Sequence, residues 1–209
     1  MCPRLSDNIK LVTINKPKRF RNENYWARPV PSFGDVNARL LIIGLAPAAH
    51  GGNRTGRMFT GDGSGDWVAK ALFLTGFASS SVSLCKNDGF VLKEAYITAV
   101  VRCAPPHNRP TSSEISNCSP YLRSELNILD RTTKVIVTLG RIAFQTYCKL
   151  NSLTGIEFHH GGEFHINGDK TLLSSYHPSR QNTNTGRLTW RMWIQIFQTA
   201  RTIIDSHNY

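Results

Sequence analysis

Three segments punctuated by glycine and proline hold most of the side chains that could do chemistry. The first, GLAPAAHGGNRTGRMFTGDGSGDW (44–67), carries seven glycines together with His50, Asn53, Arg54, Arg57, Asp62 and Asp66. Glycines let a ligand come close to the backbone. The segment lacks Gly-Lys-Ser/Thr and the spacing of a dinucleotide loop, which disfavours an NTPase phosphate loop. Asp62 in TGDGSGD is a free carboxylate, and it reads equally as a turn residue that opens a helix. In RCAPPHNRPT (102–111), two consecutive prolines stiffen the backbone that presents Asn108. Its amide offers both donor and acceptor, as reading a base edge requires, although a turn asparagine fits as well. YHPSRQNTNTGR (176–187) opens on His177. A lone histidine is more often structural, but one leaving a strand end and followed by Pro-Ser-Arg is a candidate for chemistry.

Lys and Arg number 25 against 14 Asp and Glu, a formal charge of +11. The cations share segments with asparagine, glycine and aromatic residues, as in NKPKRFRNENYWAR (15–28) and SRQNTNTGR (179–187). That mixture suits a polyanion such as nucleic acid better than it suits a merely soluble surface. No run of about 18 apolar residues suggests a membrane span, and the N-terminus lacks the apolar core of an export signal. A cytoplasmic protein is the expectation. Five scattered cysteines without a CxxC pair argue against a disulfide framework, leaving metal binding or plain packing.

The elements that must position these segments are legible as apolar runs. Residues 39–46, 95–103, 134–140 and 170–177 are near-continuous and β-branched, as in a parallel sheet covered on both faces. Helical patterns follow at 65–77 (Ser64 or Asp66 as N-cap), 112–130, 140–150 and 188–205. In the last of these, apolar periodicity makes Trp190, Trp193 and Phe197 core residues. Asn-Gly within 164–173 predicts a hairpin. The fold class is therefore α/β, a three-layer α/β/α sandwich with a central, mainly parallel four-stranded sheet. It is read as a single domain over 1–209, with 1–35 an extended basic N-terminal segment. In such sheets ligands bind outside the carboxyl ends of the strands, where all three segments converge.

Together the three segments resemble the uracil-DNA glycosylase superfamily, and within it the iron–sulfur, type-5 branch; the likeness spans most of the chain. It implies hydrolysis of the N-glycosidic bond of uracil, or of other deaminated bases such as hypoxanthine, in DNA. Better-known branches carry Asp or Asn immediately before the proline of the first motif. Here Ala46 precedes Pro47, and the resemblance shifts the catalytic carboxylate to Asp62. It also implies Phe59 stacking on a flipped base, Asn108 at the base edge and His177 bonding the base O2. Ala46, Pro47 and His50 would line the pocket. Asn53, Arg54, Ser179, Arg180 and Gln181 would meet DNA, the last three in the minor groove. No lysine in these loops is placed as a Schiff-base nucleophile, which implies a monofunctional enzyme.

Cys2, Cys103 and Cys118 match three ligands of the family's [4Fe–4S] cluster. The fourth matching position falls before Met1, so a later-than-true start, another ligand or a lost cluster are the alternatives. Cys148 reads as a buried small hydrophobe and Cys85 as a non-ligand. The resemblance implies a monomeric enzyme and leaves two competitors: a catalytically inactive DNA-binding relative and a phosphate-binding enzyme.

Overall fold

The computed structural model describes residues 2–166 and 168–207. Four mutually parallel strands form the centre of the sheet: β2 (Leu40–Gly44), β3 (Ala95–Ala99), β4 (Val135–Leu139) and β6 (Lys170–Ser175). These are the four apolar runs. Two antiparallel edges extend them, β1 (Phe33–Gly34) on β3 and β5 (Gly162–Ile166) on β6. The order is β1-β3-β2-β4-β6-β5, six strands among the described residues where the sequence predicted four. β1 is too short to give a periodic signal. The β5–β6 hairpin is as predicted, with Gly168 at φ 78°; Asn167 of its turn lies outside the described residues.

Alternate strand residues feed two cores. Leu40, Ile42, Val135, Val137 and Leu173 pack against α3 (Gly63–Leu74) and α7 (Trp190–Ser206). Leu41, Ile43, Ile136 and Leu172 face the other way, against α4 (Ser112–Leu129) and α5 (Arg141–Leu150). This is the three-layer arrangement, built by the strict period of two along each strand. Trp193 and Phe197 are fully enclosed, and Trp190 packs at the margin of the same core. Cys148 is buried among apolar neighbours of the second core and Cys85 is exposed.

Two local features differ from expectation. Pro3–Ile14 folds as α1, where an extended lead-in was predicted. Proline suits the first helical turn; Leu5 and Ile9, one turn apart, are buried, and Leu5 joins the second core. Arg4 reaches both carboxylate oxygens of Glu114 at 2.9 and 2.8 Å, and Asn8 donates to the Ala104 carbonyl at 2.9 Å. The N-cap of α3 is Asp62 rather than Ser64 or Asp66. Glu114 sits in the first turn of α4, completing a capping box with Thr111. No described helix is long and apolar enough to cross a membrane.

Candidate active site

The first loop leaves β2 at Gly44, makes the single turn α2 (Gly52–Thr55), and enters α3 through Phe59 to Asp62. Phe59 lies against the end of β2: a Cβ on Gly44 would meet its ring at 2.8 Å. Its backbone is left-handed, at φ 48°, and a Cβ on Gly65 would meet its carbonyl oxygen at 2.4 Å. Held from both sides, the ring stands 5.9 Å from that of His177, tilted by 32°. His177 itself follows β6 by two residues, its Cβ 3.6 Å from where a Cβ on Gly140 would be. Ser179 N–H and Asn182 Nδ2 both donate to the His177 carbonyl at 2.8 Å. Burial drives the imidazole pKa down to about 4, so at neutral pH the ring is uncharged.

Asp62 is half-buried at the N-terminus of α3. Oδ1 accepts from Gly65 N–H at 2.9 Å, and Oδ2 packs on Gly51 so tightly that a Cβ there would fall 1.8 Å from it. Burial raises its pKa above the ordinary carboxylate value, against the opposing pull of backbone bonds from Gly65 and Ser64. The hydroxyl of Ser64 donates to the Pro178 carbonyl at 3.0 Å, tying the Asp62 turn to the His177 loop. The cap and the candidate catalytic carboxylate are thus one residue.

Asn108 ends a short 3₁₀ turn, Pro106–Asn108, in which His107 and Asn108 both have positive φ. It is exposed, and with Ala49, Pro105, Pro106, His107, Asn8 and Val12 it lines a cleft of about 310 Å³. Ala46 and Pro47 form the start of the first loop, with Pro47 buried against Gly52. Ser179 N-caps α6 (Arg180–Asn184), leaving Arg180 and Gln181 in solvent, as a DNA-facing loop requires.

Two residues expected at DNA face inward instead. Asn53 is fully buried, donating to the Ala49 carbonyl at 3.2 Å, and its Oδ1 has no partner among the described residues. Arg54 bonds the carbonyls of His50 (2.8 Å) and Gly61 (2.9 Å) and pairs with Glu23 at 2.5 Å. Its guanidinium clamps the loop that carries Asp62. His50, expected at the substrate, has its Nδ1 engaged by the Tyr25 hydroxyl at 2.9 Å. Two supporting residues had no role assigned from the sequence, Arg57 being named there only as a cation of the first loop. Arg57, almost fully buried, grips Asp88 through Nη2 (2.7 and 2.8 Å) and also bonds Thr60 and Ser83. His160 stacks on Tyr176 and accepts from its N–H at 3.2 Å, fixing the residue before His177. A basic residue inside TGR, and paired histidines before a strand, are signals too short to assign.

Cys2, at the start of α1, Cys103, after β3, and Cys118, within α4, come from three separate elements to one edge of the second core. Burial raises the Cys103 thiol to about 11, and the neighbouring Cys118, Cys2 and Glu114 add to the rise. Among the described residues no group of three or more His, Cys, Asp or Glu is arranged to hold a single metal ion. The donor set is three soft thiols.

A three-layer α/β sheet with a tilted phenylalanine–histidine pair and a capping aspartate at its carboxyl end defines a class before it defines a protein. The chain belongs to that class: residues 31–201 match the uracil DNA glycosylase superfamily. Within it, the chain is 45% identical over 95% of its length to a type-5 uracil-DNA glycosylase of Pyrobaculum aerophilum, covering 86% of that protein. It is 45% identical to the type-5 enzyme of Thermus thermophilus, over 97% of this chain and 92% of the relative. A type-4 uracil-DNA glycosylase of Thermotoga maritima is 27% identical over 82% of the chain.

Proposed function

We propose that the protein is a monofunctional DNA glycosylase that hydrolyses the N-glycosidic bond of uracil in DNA and leaves an abasic site. The observation that carries this reading is the Phe59–His177 pair at 5.9 Å, joined to the Asp62 turn through Ser64 and Pro178. A base in the stack cannot be attacked, so it must be flipped out, which favours mispaired uracil. Phe59 then stacks on it, and Asn108 meets its polar edge. Bond cleavage develops positive charge on the sugar and negative charge on the departing base. His177, neutral because it is buried, donates to the base O2 without a prior proton loss. Asp62, in its carboxylate form, faces the cationic sugar and orients the attacking water. Ala46 can do neither. Arg180 and Gln181 enter the minor groove and hold the strand open. Hypoxanthine is a second base of the same deaminated class, and the active form is a cytosolic monomer.

The three thiols fit a [4Fe–4S] centre in donor type, and Cys2, Cys103 and Cys118 would be its ligands. When bound, such a centre supplies a rigid crosslink between α1, the segment after β3, and α4. Anaerobically purified protein is expected to be brown, with absorbance towards the blue; a colourless, iron-free and fully active preparation contradicts the assignment.

Incubating the protein with labelled duplex containing U·G, U·A or hypoxanthine·T, followed by alkaline cleavage, tests the activity. Strand scission at the uracil is the expected result. Tight binding with no base release at any protein concentration would return the protein to the inactive DNA-binding class.

A further inference from the structure

We infer that residues 16–28 form a strap that grips the phosphates of the duplex beside the base pocket, a role that rests on the glycosylase reading above. The segment leaves α1 and lies along the first loop. Trp26 N–H donates to the Arg54 carbonyl at 3.0 Å, Ala27 N–H to the Asn53 carbonyl at 3.1 Å, and Tyr25 pairs with His50. His50 directly precedes Gly51, the residue on which Asp62 packs. The strap therefore forms part of the rim of the candidate site.

Its aromatic residues are used as anchors. The Phe20 ring lies under the guanidinium groups of Arg19 (4.5 Å) and Arg54 (4.1 Å). Trp26 packs so closely on Gly56 that a Cβ there would meet the indole at 2.9 Å. The indole also carries Arg28 at 4.2 Å and Lys86 at 4.5 Å. Rings committed in this way do not stack on unpaired bases, which argues against a single-strand platform.

The cations are left for a partner. Lys18, Arg19, Arg21 and Arg28 are exposed, and among the described residues none pairs with a carboxylate. The one acidic side chain of the strap, Glu23, is taken by Arg54. His50 is pushed below its ordinary pKa by burial and then by Arg19 and Arg54, which places the Arg19 charge beside the rim. Unpaired cations on a backbone-anchored segment next to a base pocket match the phosphates flanking a flipped nucleotide. Such contacts position the duplex and read no sequence.

The test is fluorescence anisotropy with a labelled duplex carrying one tetrahydrofuran abasic-site analogue, titrated between about 50 and 200 mM KCl. Two triple variants are compared with wild type: Lys18→Gln/Arg19→Gln/Arg21→Gln on the strap, and Arg123→Gln/Arg131→Gln/Lys149→Gln at exposed positions elsewhere. Each phosphate contact contributes about 0.9 to the slope of log affinity against log salt, so the strap triple should lower that slope by about 2–3. The other triple should lower it by less than about 1. Lysine at 19 and 21 in the strap triple should restore most of the loss, because a point charge suffices for phosphate. A strap triple whose slope falls no further than that of the other triple overturns the inference, even with a wild-type protein that releases uracil. A wild-type protein that releases no uracil and does not prefer the abasic duplex overturns the underlying glycosylase reading instead.

Discussion

Replacing Gly51 with alanine tests the geometry of Asp62 without touching Asp62. The new methyl would lie 1.8 Å from Oδ2 and 2.7 Å from Cγ of that residue, whereas real Cβ contacts stay beyond 3.0 Å. The carboxylate oxygen must retreat by at least 1.2 Å, the difference between those two distances. A shift of about 1 Å at a reacting centre costs about 10²-fold, or about 2.7 kcal/mol of barrier. Gly51→Ala should therefore slow single-turnover uracil release by about 10²-fold, while affinity for an abasic-analogue duplex changes only a few-fold. Disturbing the cap should also lower stability by about 1 kcal/mol, measured by urea unfolding. Gly63→Ala is the matched comparison, since its Cβ meets nothing within 4 Å; it should leave the rate unchanged. A Gly51→Ala protein that is less stable but releases uracil at the wild-type rate refutes the reasoning, and reduces Asp62 to a helix cap.

Further outcomes follow from the same geometry. His177→Ala removes a side-chain donor beside the Phe59 ring, and should cost about 10²–10³ in release rate under single-turnover conditions. The pH–rate profile should fall on the acid side through a midpoint above the ordinary Asp value of about 3.9, because burial raises Asp62 and its ionised form is the active one. With His177 pushed down to about 4, no step near pH 6.5 is expected; one that disappears in His177→Gln contradicts the neutral-donor role. Asp88→Asn leaves the buried Arg57 guanidinium unpaired and should destabilise the fold by about 3–5 kcal/mol in urea at pH 7. In wild type, burial pushes Asp88 up, but Arg57 and the N–H groups of Phe90, Leu84 and Cys85 outweigh it and hold its pKa below the usual carboxylate range. That contribution to stability is complete above about pH 4 and fades as the pH falls further; the asparagine variant should lack this acid-dependent part.

The strands were legible because a parallel sheet covered on both faces demands near-continuous apolar runs, and in 40–44 and 135–139 Thr138 is the one polar side chain. The placement of the three loops then followed from topology, since parallel strands deliver their exits to one end. What the sequence could not show was which way a polar side chain points. Asn53 and Arg54 are polar residues in a glycine-rich loop, and that is equally the composition of a DNA contact and of an internal clamp. Only the Ala49, Gly61 and Glu23 partners decide for the clamp. The same holds for α1: Arg4 and Asn8 read as solvent-facing polar residues, and only the Glu114 and Ala104 partners, with Leu5 and Ile9 buried beside them, show which face turns inward. Asp62 shows the opposite case. Turn residue and catalytic carboxylate competed in the sequence, and the structure gives it the cap bond through Oδ1 while Oδ2 remains directed at Gly51.

The central claim is that Asp62 does the work that Ala46 cannot. Single-turnover release of uracil from a U·G duplex by Asp62→Ala, beside wild type, measures it most directly. A loss of about 10²–10³-fold with duplex affinity retained is the predicted result. Wild-type rates from the Asp62→Ala protein would contradict the account.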